Sequence, residues 1–73
     1  ECDFLIKKKN KLIAIQVCYE INNTNKEREI SGLEEVMKTF YIDNSFVITF
    51  SQSEKVNKRI SMIPVYEMNK IFE

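Results

Sequence analysis

At 73 residues the chain can hold one domain at most, close to the lower bound for a self-sufficient hydrophobic core. Lys+Arg 11 and Asp+Glu 11 cancel, so bulk charge favours neither nucleic acid nor a membrane surface, and the lack of histidine removes the commonest general base and metal ligand. No apolar run approaches a bilayer span and no signal-like segment opens the chain, which reads as a cytoplasmic protein. It starts without a Met and inside a strand-like pattern, so it is expected to be part of a longer polypeptide.

The first element is a predicted β-hairpin with Lys9-Asn10 as a two-residue turn, since Asn10 tolerates the positive φ such a turn needs. That register sets Asp3 opposite Gln16, on one face with Leu5, Ala14 and Cys18. Cys2, Phe4, Ile6, Ile13, Ile15, Val17 and Tyr19 fall on the other face, which is almost wholly apolar and is expected to carry the main core. Cys2 and Cys18 on opposite faces cannot be bridged, and reduced thiols follow. Both faces look half-buried, as in a central strand covered on each side.

Asn22 to Glu27 lead into a helix predicted over 25–39, with Thr24 as N-cap and Glu27 completing a capping box. Ile30, Leu33, Val36, Met37 and Phe40 recur at helical spacing, and Ile30, Leu33, Met37 and Phe40 are expected to pack on the Cys2/Phe4/Ile13/Ile15 face. Gly32 inside this helix suggests a close approach to the sheet. A second strand is predicted over 45–50, and strand, helix, strand at this spacing is a right-handed parallel crossover. A polar loop over 51–58 precedes a third strand over 59–63, whose ladder Pro64 stops. Val65, Met68, Ile71 and Phe72 predict a closing amphipathic helix. The fold class is therefore α/β, a mixed sheet with an N-terminal hairpin, a βαβ crossover and a C-terminal helix.

Three short motifs stand in order. They are E-x-D-F at Glu1, Asp3 and Phe4; I-Q-V-x-Y-E from Ile15 to Glu20; and N-x-T-x-x-E-R-E-x-x-x-L at Asn22, Thr24, Glu27, Arg28, Glu29 and Leu33. Over residues 1–40 the chain resembles the C-terminal domain of unknown function attached to prokaryotic AAA-type ATPases, a domain of the PD-(D/E)xK, restriction-endonuclease-like superfamily. The resemblance implies a single nuclease-like domain over 1–73 with a truncated restriction-endonuclease-like core, whose missing helix and strand would precede Glu1. It also implies ATP in the parent chain and the ATPase domain of the same chain as a partner.

In that superfamily two carboxylates and a backbone carbonyl hold Mg²⁺, and a lysine helps to position the attacking water. Asp3 is intact here, whereas Gln16 stands where the second carboxylate belongs and Cys18 where the lysine belongs. Glu1 and Glu20 share the Asp3 face by parity and offer partial compensation. The expected metal site is thus a residual one at Asp3 and Gln16, one negative charge short. Cys18 lacks a histidine to activate it as a nucleophile.

Lys7, Lys8, Lys9 and Lys11 form a basic hairpin tip that either contacts phosphates or simply solvates the turn and discourages edge pairing. Arg28 either reaches Asp3 or a phosphate, or pairs with Glu29 at the surface. Phe40, Tyr41, Phe46, Phe50 and Tyr66 read as core and sheet cover, with Tyr41 and Phe50 exposed if a preceding segment normally covers them. Two readings remain: a catalytically degenerate module that binds DNA or a partner protein, and an active metal-dependent nuclease with substituted ligands.

Overall fold

The computed structural model describes residues 3–72, a small α/β domain built on one mixed sheet. Strands β1 (Phe4–Lys8) and β2 (Lys11–Val17) form the hairpin; helix α1 (Lys26–Phe40) leads to β3 (Asn44–Thr49), followed by β4 (Glu54–Lys55) and β5 (Ile60–Pro64). A 3₁₀ helix, Val65–Phe72, closes the chain. The five strands lie in the order β1-β2-β3-β5-β4. The three central strands are mutually parallel, and the hairpin strand β1 and the short β4 pair antiparallel at the edges.

The hairpin forms in the expected register, Phe4 facing Ile15 and Ile6 facing Ile13. Both turn residues have positive φ, 50° at Lys9 and 71° at Asn10, as the twist of a tight hairpin demands. Alternation then divides β2 between two cores. Ala14 is buried beneath α1 with Leu33, Met37, Ile42, Val47, Ile60 and Met62. Ile15 lies on the opposite side with Ile48 and Ile71, joined by the half-buried Ile6, Ile13, Phe46 and Ile63.

This corrects the expected placement of the helix. α1 packs on the Ala14 face, and the Phe4/Ile13/Ile15 face receives the 3₁₀ helix through Ile71. The physical reason is size: a helix lies closest where the strand beneath it presents a small side chain, and Ala14 is the small residue of β2. Apolar richness points instead to the face with more Ile and Val, yet Phe4 on that face is exposed. Phe40, which periodicity puts on the helix stripe, is also exposed; it is the last residue of α1 and lies at the open cleft beside the hairpin tip.

The start of α1 is a second correction. Thr24 does not cap it, and the N-cap position, Asn25, makes no side-chain cap bond. Instead Asn22 Oδ1 accepts the N–H groups of Thr24 and Asn25 at 2.9 and 3.0 Å, and the Asn22 carbonyl accepts the Lys26 N–H. An Asn amide reaches amides two and three residues ahead, so the residue opening the turn does the capping. At the other end Tyr41 adopts the left-handed conformation, and its N–H and that of Ile42 both meet the Met37 carbonyl. Burial of Ile42 against Met37 completes this helix-ending motif.

Two further differences are local. The predicted loop over 51–58 contains β4, which pairs Glu54 with Met62 and Lys55 with Ser61. The strands predicted over 45–50 and 59–63 are each displaced by one residue, and Pro64 ends β5 as expected for a residue without an N–H. The Gln52 side chain ties the loops together, accepting from the Ile21 N–H at 2.6 Å and donating to its carbonyl at 2.8 Å. The segment entering α1 is thereby fixed to the end of β3. Among the described residues no helix is long and apolar enough to cross a membrane.

Candidate functional site

The site is assembled where the ends of β1 and β2 meet the first turns of α1. Asp3 Oδ2 accepts the Val17 N–H at 2.9 Å, tying the residue before β1 to the last residue of β2. Gln16 Nε2 donates to Glu29 Oε1 at 2.7 Å across the gap between strand and helix. The other Glu29 oxygen takes Arg28 Nη2 at 3.4 Å. Asp3, Gln16, Arg28, Glu29 and Gly32 together line an open cleft of about 350 Å³. Gly32 lies one turn beyond Glu29 on the same helix face, and its missing side chain lets the helix approach the polar end of β2.

Glu29 is the half-buried partner of this group. Its side chain is 14% exposed, against 74% for Arg28. It lies in the first turn of α1, where the helix dipole favours a negative charge. Its carboxylate therefore has three sources of compensation: the dipole, the Gln16 amide and the Arg28 guanidinium.

Of the residues singled out from the sequence, the structure gathers Asp3, Gln16 and Arg28 in one cleft. Cys18 lies outside its lining. Its thiol donates to the Glu20 carbonyl at 3.3 Å and takes a long contact from Asn25 Nδ2 at 3.8 Å, while its body packs against the α1 core. The Cys18 thiol is free, and Cys2 and Glu1 lie outside the described residues. Lys7, Lys8, Lys9 and Lys11 sit at the far end of the hairpin, and Lys8 Nζ donates to the Ile71 carbonyl at 2.7 Å. Among the described residues no group of three His, Cys, Asp or Glu is gathered in a way that would hold a metal ion.

Glu29 is the residue that sequence reasoning undervalues. Read alone it is an acid at a helix start, and its bond to Gln16 spans two elements. The available signal is the R-E pair followed by Leu33, since the spacing that buries Leu33 turns Glu29 to the same side as the sheet.

No family model matches the chain, and no solved structure matches it. It is 57% identical over 44 residues to an uncharacterized protein of Methanocaldococcus jannaschii, a match covering 60% of this chain and 10% of that protein. The chain thus spans about a tenth of the length of the curated relative it matches.

Proposed function

We propose that this chain is a catalytically degenerate nuclease-like module of the PD-(D/E)xK, restriction-endonuclease-like superfamily. It resembles the C-terminal domain of prokaryotic AAA-type ATPases and acts in the cytoplasm by binding DNA or a partner protein. ATP hydrolysis would belong to an ATPase domain of the parent chain, itself a candidate partner. The observation that carries this reading is the Gln16–Glu29 hydrogen bond. In a metal-dependent site the residue at that position contributes a negative oxygen; here an amide N–H points at a carboxylate and neutralises part of its demand for a cation.

The donor set is a poor match to Mg²⁺. Both carboxylates of the cleft are engaged by N–H donors, Asp3 by Val17 and Glu29 by Gln16 and Arg28. The Arg28 guanidinium brings a fixed positive charge to the same cleft, and Cys18 supplies neither a hard ligand nor a cation. Gln16 Oε1 is buried without a protein donor, which leaves one neutral acceptor but no added charge.

The test is cleavage of supercoiled plasmid and branched DNA with Mg²⁺ or Mn²⁺, comparing the parent protein with Asp3→Ala. No metal-dependent nicking above background is expected, since losing a charge-stabilising group of this kind lowers turnover by about 10²–10³-fold. Metal-dependent nicking that disappears in Asp3→Ala would establish the active-nuclease reading instead. Activity appearing only in the double variant Gln16→Glu, Cys18→Lys would mark a decayed site on a competent scaffold.

A further inference from the structure

Among the described residues, the non-glycine positions with positive φ are Lys9, Asn10 and Tyr41, at 50°, 71° and 56°. All three line a single open cleft of about 560 Å³ between the hairpin tip and the end of α1. Asn enters this region readily, whereas Lys and Tyr carry a Cβ that crowds the following carbonyl. At the residue that ends a helix in the left-handed conformation, glycine avoids that cost and is the usual choice. Tyr41 is 92% exposed, so packing of its ring does not offset the strain. The tight hairpin turn accounts for Lys9 and Asn10, which leaves Tyr41 as the position whose left-handed backbone holds an unpacked ring beside the cleft.

The surroundings supply a charge pattern. Lys9 and Lys11 come from the hairpin, Lys38 from the last turn of α1, and Lys58 and Arg59 from the turn into β5. Tyr41 stands between the two groups, lining the hairpin cleft and also a neighbouring one of about 750 Å³ that holds Lys38, Lys58 and Arg59. Asp43 lines both clefts and Glu34 the second, so the cations outnumber the acids. Arg59 donates one N–H to the Ile42 carbonyl at 2.5 Å, which holds its guanidinium at the rim. A chain without net charge is thus electrically polarised, its hairpin end positive.

From these observations we infer that the hairpin end binds single-stranded nucleic acid: Tyr41 stacks on a base, and Lys9, Lys11, Lys38 and Lys58 take the flanking phosphates. An exposed ring set among cations is the arrangement that binds unpaired strands, because every base has a face to stack on and every linkage a charge. A duplex offers phosphates but hides its base faces, and an acidic peptide would use the cations while leaving the strained ring without a purpose. This surface lies at the opposite end of the hairpin from Asp3, so it stands whether or not the nuclease-like reading holds.

The experiment is fluorescence anisotropy of a labelled oligothymidine about 15 nucleotides long, titrated with the whole chain over a range of salt. The parent protein should bind with an affinity that falls as salt rises. Tyr41→Gly should be at least as heat-stable as the parent, its strain relieved, yet bind about tenfold or more weakly, while Tyr41→Phe keeps the affinity. Lys9→Gln with Lys11→Gln should flatten the dependence of log K on log salt by about 0.7 for each phosphate no longer neutralised. Absence of saturable binding at low salt, or equal affinity of the parent and Tyr41→Gly, overturns the inference. So does displacement of the oligonucleotide by polyglutamate at equal charge concentration, which would reassign the surface to an acidic polypeptide.

Discussion

Gln16 donates from Nε2 to Glu29 Oε1 at 2.7 Å, a bond that an ionised carboxylate at the same position could not make. Gln16→Glu would set two carboxylates against each other at the mouth of a half-buried cleft and remove the donor that Glu29 relies on. The expected result is a loss of about 1–3 kcal/mol in a urea titration without metal, because an acceptor is left unsatisfied and a like charge is added. A variant as stable as the parent would mean that Arg28 alone satisfies Glu29. At this scale the sequence is partly legible. Asp3 and Gln16 can be placed side by side from turn chemistry and alternation, since both are local rules. The Gln16–Glu29 bond cannot, because it depends on which sheet face receives α1, and nothing within either motif states that.

The elements are legible in kind and less so in their relations. The hairpin, the amphipathic helix and the following strand each follow from periodicity, whereas β4, with two residues, is too short to show any period. Apolar richness points the helix to the wrong face, because a close helix–sheet approach is governed by small residues such as Ala14 and Gly32. Leu33 is fully buried in the α1 core. Leu33→Ala should therefore cost about 2–5 kcal/mol, a large share of the 5–15 kcal/mol typical of a whole domain. The check is a denaturant titration; a shift below about 1 kcal/mol would mean that α1 is held by its ends and not by its apolar stripe.

For the whole molecule, a neutral total conceals an uneven distribution of charged groups between the two ends of the sheet. One end of the hairpin holds the cleft shared by Asp3, Gln16 and Glu29, and the other gathers Lys9, Lys11, Lys38, Lys58 and Arg59 around Tyr41. The lysines of the turn are visible in the sequence, but those brought to it from α1 and the start of β5 are not, because their proximity is a product of the parallel pairing of β2, β3 and β5. The Asp3 site, closed by its own hydrogen bonds, is expected not to depend on a dication. The most direct test is the thermal midpoint of the parent protein and of Asp3→Ala, each with EDTA and with excess Mg²⁺ or Mn²⁺. A ligand that binds only the native state stabilises it by about 2.7 kcal/mol at a hundredfold excess over its dissociation constant, several degrees for a domain of this size. No metal-dependent rise is expected in the parent protein, and a lower midpoint is expected in Asp3→Ala whatever the metal; a rise of several degrees in the parent that vanishes in Asp3→Ala would show a dication bound at Asp3.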